Sequence, residues 1–324
     1  MAEPNMGTGN GFNELYLTQA DGSLVKVREA AGLQKYPTMR TRFVKVLTSA
    51  DGSKLVFIAT LGVPREDGKP NQHRMFRLIT VLDDFYFEEV DGPWIQHTVS
   101  GCLHVADVNG DGLDDIIVCN TRQDASMVFI MQSDSNWTQL DLGTSSHQHL
   151  RNWLSVRVAD VTYDGVPDLL VSKASSLRII EGSKEPPYFD FSAPAFAQFS
   201  FPFAAAPDLE VLDVNNDGRL DVYVVQANEK TIGSYCAGRF TSRDWWDQGG
   251  PQPPPTFVPP LDMAPDILLI GNGKNALRPF QRVAMKHAEP GCGGMVERFG
   301  NNQTLLLSQG TFIRPGHTLL LSWP

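Results

Sequence analysis

Three acidic turns limit what this chain can become. They read DVNGDGLDD from Asp107, DVTYDGVPD from Asp160 and DVNNDGRLD from Asp213, and their starts are 53 residues apart (160 − 107 and 213 − 160). A short apolar run precedes each one (CLHVA, SVRVA, DLEVL) and another follows (IIVC, LLVS, VYVV). Runs this short and this rich in β-branched residues suit strands, so each turn closes a hairpin. The equal spacing marks a structural repeat.

Inside each turn the oxygen-bearing residues keep one phase. They are Asp107, Asn109, Asp111 and Asp115, then Asp160, Thr162, Asp164 and Asp168, then Asp213, Asn215, Asp217 and Asp221. Gly112, Gly165 and Gly218 hold the sixth position, where a sharp reversal needs a residue without a Cβ. The seventh residue, Leu113, Val166 or Arg219, then presents a main-chain carbonyl. Carboxylates crowded into a turn repel one another unless a cation sits among them. The chemistry of such a set predicts Ca²⁺, a hard ion that accepts irregular oxygen shells. The flanks lack helical period and no Glu stands at position twelve, so a helix-loop-helix calcium site is not expected.

Other segments alternate as hairpins: residues 13–27, 73–90, 126–142, 175–191 and 266–283. A hairpin of this kind joined to an acidic one makes a four-stranded unit of about fifty residues. One such unit cannot bury its apolar face alone, whereas radial repetition covers it. The predicted fold is therefore an all-β propeller of four-stranded blades with five to seven blades. It is read as a single domain over 1–324, with insertions at 62–73 and 229–264 and the segment 286–324 closing the ring. Residues 43–59 form a further hairpin in which Asp51 and Gly52 keep the turn but Leu47 stands at the first ligand position, so no metal is expected there. The N-terminal hairpin is expected to complete the last blade.

The D-x-[N/T]-x-D-G-x-x-D turns with their flanking strands resemble the FG-GAP or VCBS repeat family, known from integrin α-subunit propellers. The hairpin NELYLTQADGSLVKVREAAGL at 13–33 and the HRMFRLI run at 73–79 are similar to propellers of the cartilage acidic protein type and their bacterial relatives. The resemblance spans most of 13–285. It implies calcium ligands at Asp107, Asn109, Asp111, the Leu113 carbonyl and Asp115. It implies the same at Asp160, Thr162, Asp164, the Val166 carbonyl and Asp168, and at Asp213, Asn215, Asp217, the Arg219 carbonyl and Asp221. It also implies a secreted or surface-exposed module used in adhesion and in glycan or matrix contact.

The formal charge of −10, from 27 Lys and Arg against 37 Asp and Glu, has no basic cluster to offset it. A phosphate backbone would be repelled, so nucleic acid is not an expected partner. No apolar run reaches the length of a membrane span, and no signal peptide is visible at the start. Cys102 and Cys119 flank the first acidic turn, where either a cross-hairpin disulfide or two buried thiols would fit; Cys236 and Cys292 could pair or stay separate. Asn136 and Asn302 head N-x-T sequons that accept glycan on a secretory route.

Trp245 and Trp246 precede a proline-rich stretch within 241–260 that cannot be a central strand, which makes them ligand-contact candidates. The phenylalanine-rich run 187–203 is expected to pack between blades, and His147 with His149 to be solvated. Asp83, Asp84, Glu88 and Glu89 are acids outside the turns, but neighbours on a strand face opposite sides. No nucleophile elbow, zinc helix or phosphate loop appears. The expected function is a calcium-stabilised, extracellular-type propeller that binds protein or glycan and is not an enzyme. The alternatives are a glycan-processing enzyme working on a propeller face and a structural scaffold in an assembly.

Overall fold

In the computed structural model the repeat becomes a series of antiparallel sheets. The residues described are 15–18, 21–27, 41–60, 73–81, 84–96, 100–120, 126–133, 136–140, 150, 153–173, 176–200, 204–228, 267–272, 280–284, 293–299, 303–309 and 318–322. The chain divides into two compact units. The first comprises Met1–Ala106, Gly112–Val118 and Val128–Gln139, and the second Asp107–Asp111, Cys119–Met127 and Leu140–Pro324.

The first unit begins with β1 (Leu15–Thr18) and β2 (Leu24–Val27), a two-stranded sheet with Leu15 opposite Val27. Four strands follow in simple order: β3 (Thr41–Thr48), β4 (Lys54–Thr60), β5 (Arg74–Val81) and β6 (Asp84–Val90). A short 3-10 helix, Pro93–Gln96, carries Trp94 into the core. A second four-stranded sheet is made by β7 (Ser100–Ala106), β8 (Asp115–Asn120), β9 (Met127–Ser133) and β10 (Asn136–Gln139). Trp94 is fully buried and meets Phe57, Phe129 and Trp137 edge-on, with ring centroids 5.6, 6.1 and 5.1 Å away. Edge-to-face contacts of this kind add about 0.5–1.5 kcal/mol each to the burial term.

The second unit holds β11 (Ser155–Ala159), β12 (Asp168–Ser172), β13 (Ser176–Ile180) and β14 (Ala197–Ser200) in one sheet. Next come β15 (Ala204–Leu212), β16 (Asp221–Asn228), β17 (Ile267–Gly271) and β18 (Phe280–Ala284) in another. A three-stranded sheet of β19 (Gly293–Phe299), β20 (Gln303–Gln309) and β21 (Thr318–Ser322) ends the chain. The first strands of these sheets pack side by side, β11 on β15 and β15 on β19. Between the two four-stranded sheets lies a core of Val161, Leu170, Leu177, Ile179, Leu209, Val222, Val224, Ile267, Leu269 and Phe280.

Every four-stranded sheet is thus an up-and-down set of sequence neighbours, as propeller blades are. The expected hairpins at 43–59, 73–90, 126–142 and 266–283 form. The one expected at 175–191 does not close where the alternation ends. Its second strand waits until Ala197, because Phe189 and Phe191 are drawn into the interior instead, Phe191 stacking on Trp153 at 5.5 Å. Further on in that run, Phe196 and Phe199 pack against the core between the sheets, as expected of the 187–203 segment.

Candidate functional site

The acidic turns form as the glycines require. Gly112, Gly165 and Gly218 have φ of 85°, 81° and 82°, and the fourth position is also left-handed, at Gly110, Tyr163 and Asn216. The first aspartate of each turn accepts the amides that follow it. Asp160 takes Asp164 N at 3.2 Å and Gly165 N at 2.9 Å, and Asp213 takes Asp217 N at 3.1 Å and Gly218 N at 2.9 Å. In the first turn Asp107 takes Gly110 N at 2.7 Å and Asp111 N at 3.1 Å. The third and fifth side chains approach one another, Asn109 donating to Asp111 at 2.8 Å and Asn215 to Asp217 at 3.1 Å. In the second turn the fifth residue, Asp164, accepts Val166 N at 2.9 Å.

The ninth position behaves differently. Asp115, Asp168 and Asp221 are fully buried. Asp168 accepts Val161 N, Thr162 N and Gly182 N, each at 2.9 Å. Asp221 accepts Val214 N at 2.9 Å and Gly271 N at 2.8 Å, and Asp115 accepts Met131 N at 2.8 Å. Burial raises the Asp168 and Asp221 carboxyls to about 6 despite these amides. Thr162 is buried too, its hydroxyl 3.5 Å from Asp168. Of the seventh residues, Val166 is buried, Leu113 is half-buried and Arg219 is exposed.

Each turn therefore separates its acids into an outer group and an inner one. Among the described residues no three His, Cys, Asp or Glu side chains gather as a metal shell. A carboxylate spent on two or three backbone amides is a poor fifth ligand, so at Asp168 and Asp221 the donor set does not fit the calcium shell that the spacing predicts.

A second cluster arises on the first strands of the second unit. Arg157 on β11 reaches across to β15, its Nη2 standing 3.3 Å from Asp208 Oδ1 and 3.0 Å from Glu210 Oε1. Ser155 Oγ donates to Asp208 Oδ1 at 3.1 Å, and the amide of Leu209 does so at 3.0 Å. Arg157 Nη1 is held by the Val156 carbonyl at 2.8 Å and by Ser155 Oγ at 3.2 Å. Asp208 is 4% exposed, and the Glu210 side chain 29%. Residues 208 and 210 are two apart on a strand and so share a face. None of these four was singled out from the sequence. The available signal was register: Ser155 and Asp208 are 53 residues apart, as are Arg157 and Glu210.

Of the four acids named outside the turns, the two whose side chains are described, Glu88 and Glu89, do not pair. Glu89 on β6 is bonded to Arg74, Glu88 faces solvent, and the side chains of Asp83 and Asp84 lie outside the described residues. Trp245, Trp246, Cys236, Cys292, Asn302, His147, His149 and the two expected insertions, apart from His73 at the end of the first, also lie outside them. Asn136 is exposed on β10 and donates to Gln132 at 3.0 Å. Cys102 on β7 and Cys119 on the neighbouring β8 are both disulfide-bonded. Among the described residues no helix is long and apolar enough to cross a membrane.

Residues 107–171 match the FG-GAP-like repeat family. No curated protein matches the chain. Similar solved structures include an endo-arabinase from Bacteroides thetaiotaomicron, 10% identical with a TM-score of 0.43, covering 89% of this chain and 95% of its own. An α-L-arabinofuranosidase from Clostridium thermocellum is 10% identical with a TM-score of 0.40, over 84% of this chain and 83% of its own. A putative glycoside hydrolase from Parabacteroides distasonis is also 10% identical, with a TM-score of 0.37 over 87% and 88%.

These findings correct four expectations. The FG-GAP likeness extends over 107–171 rather than most of 13–285, and the similar structures are glycosidases rather than integrin-type propellers. The expected calcium-stabilised adhesion or binding module, the expectation that the chain is not an enzyme, and the calcium-binding, glycoprotein adhesion character attached to them are overturned with it. At these TM-scores the likeness carries neither a reaction nor a substrate to this chain.

Proposed function

We propose that the chain is a glycan-processing enzyme whose chemistry lies with Asp208 and Glu210. The observation that carries this reading is a single guanidinium nitrogen, Arg157 Nη2, in contact with both carboxylates on one face of β15. Glycosidic bonds are cleaved by such pairs, one group acting on the sugar carbon or a water and the other on the leaving oxygen. A nitrogen that touches both holds them closer than the roughly 6.5–9.5 Å that leaves room for an intervening water. The arrangement therefore favours double displacement. Asp208, fixed by Ser155, Arg157 and its neighbour's amide, attacks the anomeric carbon. Glu210, the more exposed group, is assigned to the departing oxygen and then to the water that releases the sugar.

The same reading takes the four-stranded sheets as blades of a propeller with five to seven blades, presenting the pair to a glycan outside the cytoplasm. Disulfide-bonded Cys102 and Cys119 support an oxidising compartment. The test is hydrolysis of a panel of polysaccharides, arabinan among them, followed by new reducing ends and by the anomeric configuration of the first product. We expect cleavage with retained configuration and a loss of about a hundredfold or more in Asp208→Asn and in Glu210→Gln, each checked for native melting. Failure to cleave any glycan, or full activity in both variants, would overturn the assignment.

A further inference from the structure

We infer that the ninth aspartate of each acidic turn is a backbone staple that ties the turn to the third strand of its sheet. The turn is thereby shaped without a cation. In each case the carboxylate accepts an amide from the end of the third strand or just beyond it: Met131 in β9, Gly182 after β13 and Gly271 ending β17. In the second and third turns the other oxygen also binds the start of the turn itself, at Val161 and Thr162 or at Val214. One side chain thus joins three pieces of backbone.

Two of the donors show how closely those pieces are drawn together. A Cβ on Gly182 would stand 2.0 Å from the Pro167 carbonyl oxygen, and one on Gly271 would stand 2.3 Å from that of Leu220. These carbonyls belong to the residues just before Asp168 and Asp221. Neither glycine has a left-handed φ, so it is the close approach, and not the backbone conformation, that excludes a side chain. The pairing of a buried aspartate with a strand-end glycine recurs in two sheets with separations of 14 and 50 residues. A carboxylate committed in this way cannot turn outward to a cation without leaving buried amides unpaired, which costs about 1–3 kcal/mol per group.

Hydrogen exchange on the full chain, in chelator and in excess calcium, tests this. The Gly182 and Gly271 amides should be equally protected in both. Asp168→Asn should speed exchange at Gly182, and Asp221→Asn at Gly271, by roughly ten- to a hundredfold, as expected for loss of a hydrogen bond to a charged group. Asp160→Asn and Asp213→Asn should leave those two amides unchanged. Protection that appears only with calcium, or that is lost equally in the first-position variants, would overturn the inference. Should Asp168→Asn fail to fold, the chelator comparison on the unaltered protein still decides it.

Discussion

Lys173, the residue after β12, shows how one half-buried charge sets a pH dependence. Burial, helped by the nearby Arg178, lowers its ammonium from 10.5 to about 8. Below pH 8 the lysine is charged in both the folded and unfolded chain, and the folded state bears the cost. Between 8 and about 10.5 the unfolded chain binds more protons, so stability rises with pH across that window. Lys173→Met removes the cost and keeps the aliphatic stem. We expect it to stabilise the protein by about 1–2 kcal/mol near neutral pH after allowance for partial exposure, with the gain vanishing above pH 10. Denaturant melts of both proteins at pH 7 and 10 check this. Residue roles of this sort are only half legible in a sequence. The spacing places Asp115, Asp168 and Asp221 in phase with the outer acids. Whether a carboxylate points to solvent or into the sheet depends on amides that arrive from strands further along the chain.

Among elements, the turns show how neighbouring hairpins hold one another. Tyr163 occupies the fourth position of the second turn in the left-handed region, where glycine or asparagine stands in the other two. It is 43% exposed, and its hydroxyl bonds the amide of Leu220 in the third turn. A tyrosine in this conformation carries steric strain that the contact helps offset. Tyr163→Phe should therefore destabilise the protein by about 1 kcal/mol, while Tyr163→Asn, which loses the contact but relieves the strain, should cost less. Thermal unfolding of the two variants orders them. Strand hairpins were readable because their alternation has a period of two, but β14 was misplaced. Its expected residues, Phe189 and Phe191, are apolar enough to be taken by the core, and local alternation cannot reveal that competition.

For the whole molecule, the proposed enzyme depends on residues that no short motif joins. Asp208 and Glu210 meet Arg157 only because β15 lies against β11, one repeat apart, so a search for local patterns passes over them. The repeat itself was visible, and comparing equivalent positions 53 residues apart would have found the pair. The first sheet of this register carries Cys102 where the next two carry Ser155 and Asp208. Reduction of the disulfide-bonded Cys102 and Cys119 should lower stability by about 2–4 kcal/mol, read as a lower melting temperature with reductant. An unchanged melt would remove the support for an oxidising compartment.

The stapled glycines have a consequence for how such a chain can change. Asp168 finds its glycine 14 residues on and Asp221 finds its own after 50, yet the two hydrogen bonds have the same length to within 0.1 Å. Each doubling of an intervening segment costs only about 0.6 kcal/mol of closure entropy. The stretch between β16 and β17 is therefore open to evolutionary experiment: foreign sequence can be spliced there, lengthened or exchanged while the sheet keeps its registration.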